Sequence, residues 1–466
     1  MIADLKPYAE YKESGLPWLG QVPGHWDERR LRSTTTQAIT NGVGESAHAF
    51  RGDWPRYVRI TDIADWRRLH RHTRASLPPS LAHGADVRKG DLLIAAVGAT
   101  FGKAYVHLSD EPACCAGYLV RVRFDSALDP RFAGYWTESQ HYWGQLRSNV
   151  IQSTIQNFSA ARVKRLLVVV PPPDEQAAIV RFLDWANGRL ERAIRAKRKV
   201  IALLNEQKQA IIHRAVTRGL DPSVPLKPSG IPWLGEIPAH WDLSPNRAHL
   251  RIRKVLVGQR HPQFQLLSLT KRGVIVRDLS EMRGKFSSDM GTSQEVRSGD
   301  LVFCLFDVPE TPRTVGLSQH DGMITGAYTV MECSDLEVAK FLELFYIAMD
   351  DRKLLSPMYS GLRNTIPKDR FLGAKTPLPS AGERVAILRA VQQETSFLIQ
   401  AISRLEREID LLREYRTRLV ADVVTGKLDV RQAAARLPDE EPLLATPDTG
   451  DSDPDDELAA DEEVDA

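Results

Sequence analysis

Two stretches of the chain repeat apolar residues at alternating steps of three and four, the spacing that aligns one face of a helix. In the first, Asp174 to Arg218, the stripe is Val180, Leu183, Leu190, Ile194, Ile201, Leu204 and Ile211, with Asn187, Lys197 and Lys208 as polar members. In the second it is Leu388, Val391, Thr395, Leu398, Ile402, Leu405, Ile409, Leu412, Arg416, Leu419 and Val423. Each stretch follows proline and an acidic residue and stops at a glycine, Gly219 or Gly426, as helix ends require. Helices of about 45 residues would run roughly 65 Å, twice the width of a small domain. Stripes this narrow predict two helices that bury each other along a heptad seam. The alternative is two amphipathic helices, each lying on its own domain.

The segments before these helices have a different pattern. Short apolar runs, LLIAAV (92–97), LLVVV (166–170), LVFCLF (301–306) and TVGLS (314–318), stand between Gly, Pro, Asp and Asn turn signals and read as strands. Residues 131–146 and 338–350 have helical spacing. The chain is therefore mixed α and β, and it is written twice. SGLPWLGQVPGHW (14–26) returns as SGIPWLGEIPAHW (229–241), RKGDLLIAAVG (88–98) as RSGDLVFCLFD (297–307), and PPPDEQAAI (171–179) as PSAGERVAI (379–387). A period near 210 residues is a whole domain plus a connector. The expected segments are 1–173 and 222–379 as domains, 174–221 and 380–430 as helices, and 431–466 as a tail.

Charge sharpens this division. The formal net charge is +2, yet after Arg436 there are 13 Asp and Glu and no Lys or Arg, so residues 1–436 carry +15. The tail reads as disordered, and the basic body suits a polyanion, because cations that neutralise phosphates release counterions. The four cysteines lack metal-ligand spacing. The first residues lack a secretory pattern, which implies the cytoplasm.

Catalytic motifs are weak. GATFGK (98–103) is one residue short of a P-loop and is followed by Ala104. It reads better as a turn offering Lys103 to a phosphate. PPP (171–173) lacks the flanking residues of a base-flipping methyltransferase loop and reads as a rigid joint. His25 and His240, Trp18 and Trp233 read as packing residues of the repeated motif.

The repeated SGxPWLGxxPxHW, the GDLLIAAVGATFGKAYV loop, the PPPDEQAAI joint and the duplicated heptad helices ending in TRGLD and TGKLD resemble Type I restriction-modification specificity subunits. The resemblance spans residues 11–430. It implies an α+β fold: two similar mixed α/β target-recognition domains separated by two long helices that form an antiparallel coiled coil, with a pseudo-twofold internal repeat. It further implies a non-catalytic chain that reads a bipartite asymmetric sequence in double-stranded DNA. Two methyltransferase subunits and motor-nuclease restriction subunits would dock on it and bring S-adenosylmethionine, ATP and Mg2+. Readout chemistry then selects Lys103, Gln152, Ser153, Gln156 and Asn157 in the first half and Lys271, Arg272, Arg313, Arg363 and Asn364 in the second. The expected coiled-coil contacts are Leu183, Leu190, Ile194, Ile201, Leu204, Ile211, Val391, Leu398, Ile402, Leu405, Ile409, Leu412 and Leu419. A self-sufficient methyltransferase or endonuclease, and a coiled-coil scaffold without a DNA role, are the competing readings.

Overall fold

The computed structural model describes residues 5–15, 19–98, 100–150, 159–277, 290–311 and 313–438. The chain divides into two compact units, Met1–Lys197 with Arg407–Thr446, and Arg198–Glu406 with Pro447–Ala466. Each unit thus holds one sheet domain and part of both long helices.

In the first unit a four-stranded antiparallel sheet runs Thr40–Asn41, Leu119–Val122, Leu92–Ala95, Ala104–Val106 in spatial order, with Val120 opposite both Asn41 and Ile94. All the residues of the strands Leu92–Ala95 and Leu119–Val122 are buried, which explains the unbroken apolar runs in the sequence. A second sheet of five short strands holds one parallel pair, Ala113–Cys115 beside Arg56–Val58. The helical stretch at 131–146 is two helices, Pro130–Thr137 and Gln140–Val150. Asp129 caps the first by accepting from the N–H groups of Arg131 and Phe132, with Pro130 in the first turn. Trp26, Phe132, Trp136 and Tyr142 fill the core between them and the sheet. Strand Leu167–Val170, paired with Asp27–Arg30, delivers the chain to the first long helix, Pro173–Arg218.

The second unit repeats the plan. Leu250–Ile252, Thr329–Cys333, Leu301–Phe303 and Val315–Leu317 lie in the same order as their counterparts. Helix Leu336–Asp351 is capped by Asp335, and Lys375–Leu378, paired with Asp242–Pro245, leads into the second long helix, Ala381–Val424. Among the described residues the five-stranded sheet is answered by two antiparallel pairs, the hairpin Leu267–Thr270 with Gly273–Val276 and the long-range pair Gln294–Val296 with Gly322–Ile324.

Within each unit the long helices run antiparallel. In the first, Lys197 Nζ lies 2.6 Å from Glu408 Oε2 while Glu191 Oε1 lies 4.0 Å from Arg416, so numbers rise along one helix as they fall along the other. In the second, Ile212 and Val216 share a core with Ile387 and Val391, and Arg214 meets Glu394 at 3.5 Å.

Of the expected seam, Leu183, Leu190, Ile194, Val391, Leu398, Ile402, Ile409 and Leu419 are buried, whereas Ile201, Leu204, Ile211, Leu405 and Leu412 are half-buried. Near the helix ends the buried positions shift by one, to Ile212 and Ile387 instead of Ile211 and Leu388. A straight helix drifts from a strict seven-residue repeat, and there the helices join the sheet domains' cores. The two readings of the stripes therefore each describe part of the helix: seam along its length, domain core at its ends. No helix among the described residues is long and apolar enough to cross a membrane.

Candidate nucleic-acid interface

Both units hold their long helix by the same device, and this fixes where the remaining loops point. In the first, the carboxylate of Glu175, in the first turn of the helix, accepts from the Tyr8 hydroxyl and from Trp26 Nε1 at 3.1 Å and pairs with His25 Nε2 at 2.8 Å. Burial, and Glu175 beside it, push the Tyr8 hydroxyl well above the usual tyrosine range. In the second unit Glu383 accepts from Trp241 Nε1 and pairs with His240 Nε2, each at 2.9 Å. His25 and His240 thus have the structural role expected of them, and the sequence reading missed the carboxylates that engage them and the tryptophans Trp26 and Trp241. Trp233 packs on Phe345, whereas Trp18 lies outside the described residues.

The residue after each glutamate closes the joint. Gln176 accepts from the Asp129 N–H and donates to the carbonyls of Ala127 and Pro171, while Arg384 donates to the Pro379 carbonyl and to the Asp335 carboxylate. Both therefore tie the long helix to a helix-capping residue of its own domain, Asp129 of Pro130–Thr137 and Asp335 of Leu336–Asp351.

With that end of each domain committed to the helices, the loops after Leu92–Ala95 and Leu301–Phe303 open at the other end of the sheet strands. The strands on either side of GATFGK pair antiparallel with each other, and a strand, not a helix, follows it, so it is not a P-loop. Its turn is set by bonds from the N–H groups of Gly102 to Ala95, Lys103 to Thr100 and Phe101 to Gly98, and Tyr142 donates to the Gly102 carbonyl at 2.9 Å. Lys103 emerges exposed from this braced turn. Gln152, Ser153, Gln156 and Asn157 lie outside the described residues.

In the second unit the selected residues fall in two groups. Lys271 and Arg272 are exposed at the turn of the 267–276 hairpin. Arg313 pairs with Asp351 at 3.1 Å and reaches the Lys271 carbonyl at 3.4 Å. It is largely buried, with its side chain 18 % exposed, so it props the hairpin turn rather than presenting a free guanidinium to a base. Burial, and Arg313 nearby, lower the pKa of the half-buried Lys208 amine, and burial raises that of Asp351 despite Arg313. Arg363 pairs with Asp307 yet stays 71 % exposed, and Asn364 takes a left-handed φ of 43° in the next position of the same loop.

One cationic run escaped the sequence reading. RRLHRHTR (67–74) puts four arginines and two histidines in eight residues, a density that was itself the signal. Arginines stack on nearby aromatic rings, Arg51 over Trp54 at 4.4 Å, Arg74 over Phe50 at 4.1 Å and Arg67 over Trp66 at 4.6 Å. Much of this charge is matched, since Arg68 pairs with Asp65 and Arg74 with Glu111. Among the described residues no group of His, Cys, Asp and Glu could hold a metal ion.

Residues 79–198 match the family model for the Type I restriction modification DNA specificity domain. Sequence comparison with curated proteins gives no significant match. Among solved structures, a chain from a study of complex assembly and conformational transition of the type I R-M system superimposes with a TM-score of 0.59 at 13% identity, covering 87% of this chain and 99% of that one. The HsdS subunit from Thermoanaerobacter tengcongensis has a TM-score of 0.42 at 15% identity, covering 88% and 98%. The S subunit of a Type-I restriction-modification system from M. genitalium has a TM-score of 0.34 at 12% identity, covering 90% and 98%. Residues 79–198, from the first sheet domain into the first long helix, thus carry the likeness to a Type I restriction modification DNA specificity domain, and the fold over most of the chain is that of the first of these structures.

Proposed function

We propose that the chain recognises a bipartite, asymmetric sequence in double-stranded DNA, each unit reading one part. The observation that carries this is the duplicated sheet whose loops, at the end away from the helix joint, bring out cations on unlike frames: Lys103 on a four-point hairpin in one unit, Lys271, Arg272 and Arg363 on three linked loops in the other. Like sheets fix both readers alike, while unlike loops read unlike bases.

The long helices would present the docking surface for two methyltransferase subunits, with restriction subunits joining that assembly in the cytoplasm. S-adenosylmethionine, ATP and Mg2+ would belong to those partners, and this chain would do no chemistry of its own. Mapping methylated bases across the host genome, with and without this gene, tests the reading. One two-part motif should lose methylation when the gene is removed; an unchanged methylation map would refute the assignment. Purified chain that alone methylates or cuts DNA would instead favour a self-sufficient enzyme. A chain that binds no DNA at any salt concentration, with or without methyltransferase, would favour a scaffold.

A further inference from the structure

The tip of the 359–366 loop in the second unit holds a leucine that touches nothing, and the loop around it is fixed. Leu362 is fully exposed. Ser360 and Thr365 bond each other's backbone in both directions, at 2.8 and 3.0 Å, so that only residues 361–364 form the turn. Gly361 at φ 73° and Asn364 at φ 43° supply its left-handed positions. The Arg363 carbonyl accepts from the Asp307 N–H at 2.9 Å, its guanidinium grips the Asp307 carboxylate, and Ile366 N–H bonds the Leu305 carbonyl at 2.7 Å. An isolated exposed leucine is ordinary on a surface. One projected from a turn braced on three sides is not free to fold back and cover itself.

A cation stands beside it: Arg363, its neighbour in sequence, grips Asp307 and is still 71 % exposed. Apolar side chains presented rigidly among cations are how proteins part stacked base pairs, the cations holding the phosphates while the wedge replaces stacking. We propose that Leu362 inserts between base pairs of the half-sequence read by the second unit and kinks the duplex there. This rests on the DNA-reading assignment above.

The test uses the full chain, with any methyltransferase that co-purifies, and a 30-base-pair duplex carrying the target found by methylation mapping, labelled at its ends for energy transfer. The wild type should shorten the end-to-end distance as a kink of 20–90° does. Leu362→Ser should lose most of that kink and bind about tenfold more weakly, while Leu362→Phe, an apolar wedge on the same loop, should keep both. A wild-type complex that binds the target without bending it, or a Leu362→Ser complex bent as far as the wild type, would overturn the wedge and leave DNA reading intact. Wild-type protein that binds no duplex would remove the assignment beneath it as well.

Discussion

The first unit buries the carboxylate that starts its long helix and gives it three partners, Tyr8, His25 and Trp26. The second leaves a quarter of the Glu383 side chain exposed and gives it two. The turn before the central strand shows the same divergence. Asp91 and Asp300 both accept from the N–H three residues earlier, at 2.8 Å, and both are clamped by an arginine. In the first unit the arginine is Arg123, at the end of the central strand Leu119–Val122. In the second it is Arg253, just past the edge strand Leu250–Ile252, and position 332, aligned with Arg123 by the repeat offset of 209, holds Glu332. The carboxylate stays in place because the turn's N–H needs an acceptor there and a buried carboxylate needs a cation. The cation itself can arrive from the adjacent strand or from the edge strand beyond it, so its position was free to change.

The sharpest way to break the likeness lies at the glycines that end the long helices. Gly426 (φ 76°) lies against the first unit's repeated motif, and a Cβ there would stand 2.3 Å from Pro23 Cδ and 3.1 Å from Trp26. Gly219 (φ 72°) lies against the second unit's motif with more room, 3.3 Å to Glu383 and 3.4 Å to Trp241. Gly219→Ala should cost about 1–2 kcal/mol, the left-handed strain alone. Gly426→Ala adds a collision with a ring that cannot turn aside, for about 3–5 kcal/mol. Hydrogen exchange over residues 20–31 and 236–245 separates the two effects; equal losses would mean that the helix ends are held alike.

These contacts mark what the sequence could and could not disclose. The long helices, the duplicated plan and the main strands were legible because each depends on a period or a repeated string. The break of 131–146 into two helices was not, since Glu138 and Ser139 carry no Gly or Pro signal. Glu175 and Glu383 were visible only as the first letter of a joint; nothing local shows that they meet residues some 150 positions earlier. Among the selected DNA contacts, Arg313 was chosen by its chemistry, but its pairing with Asp351 depends on a long-range approach that spacing does not encode.

The migrated arginine offers a second, smaller break. Arg253→Thr strips the buried Asp300 of its cation and should destabilise the second unit by about 3 kcal/mol. Adding Glu332→Arg restores the first unit's geometry and should recover more than half of that. Urea unfolding followed by hydrogen exchange over 297–303 reads both variants. A double variant no better than the single would mean that the adjacent and the edge strand are not interchangeable sources of the cation.

Acid should separate the units next. His141 is buried in the first unit, its Nε2 against the Leu167 carbonyl, and burial lowers its pKa from 6.5 to about 4. The unfolded chain takes up this proton near pH 6.5 and the folded one only near pH 4. Stability from this group is therefore complete above 6.5 and is lost as pH falls between those values, on the order of 3 kcal/mol in all. The repeat offset of 209 places Asp350 at the corresponding position, where it accepts from Thr314 N–H at 2.9 Å and Lys353 at 3.2 Å. His141→Gln should flatten the loss of protection at 140–150 across this window; an unaltered acid profile would show that another group governs it.

The cross-helix ion pairs carry the comparison to its smallest effect. Lys197 and Glu408 meet at 2.6 Å with about a third of each side chain exposed, whereas Arg214 and Glu394 stand 3.5 Å apart and are 67 % and 45 % exposed. Water and salt screen the second pair more, and holding two long side chains together costs entropy in both. After that discount, Lys197→Met should cost about 1 kcal/mol and Arg214→Met about 0.3 kcal/mol or nothing measurable. Raising NaCl from 0.1 to 1 M should shrink the first difference only partly, because Lys197 also covers apolar helix surface with its stem. Equal costs for the two variants, or a Lys197→Met effect erased by salt, would mean that the helices of the first unit are held no more tightly at that point than those of the second.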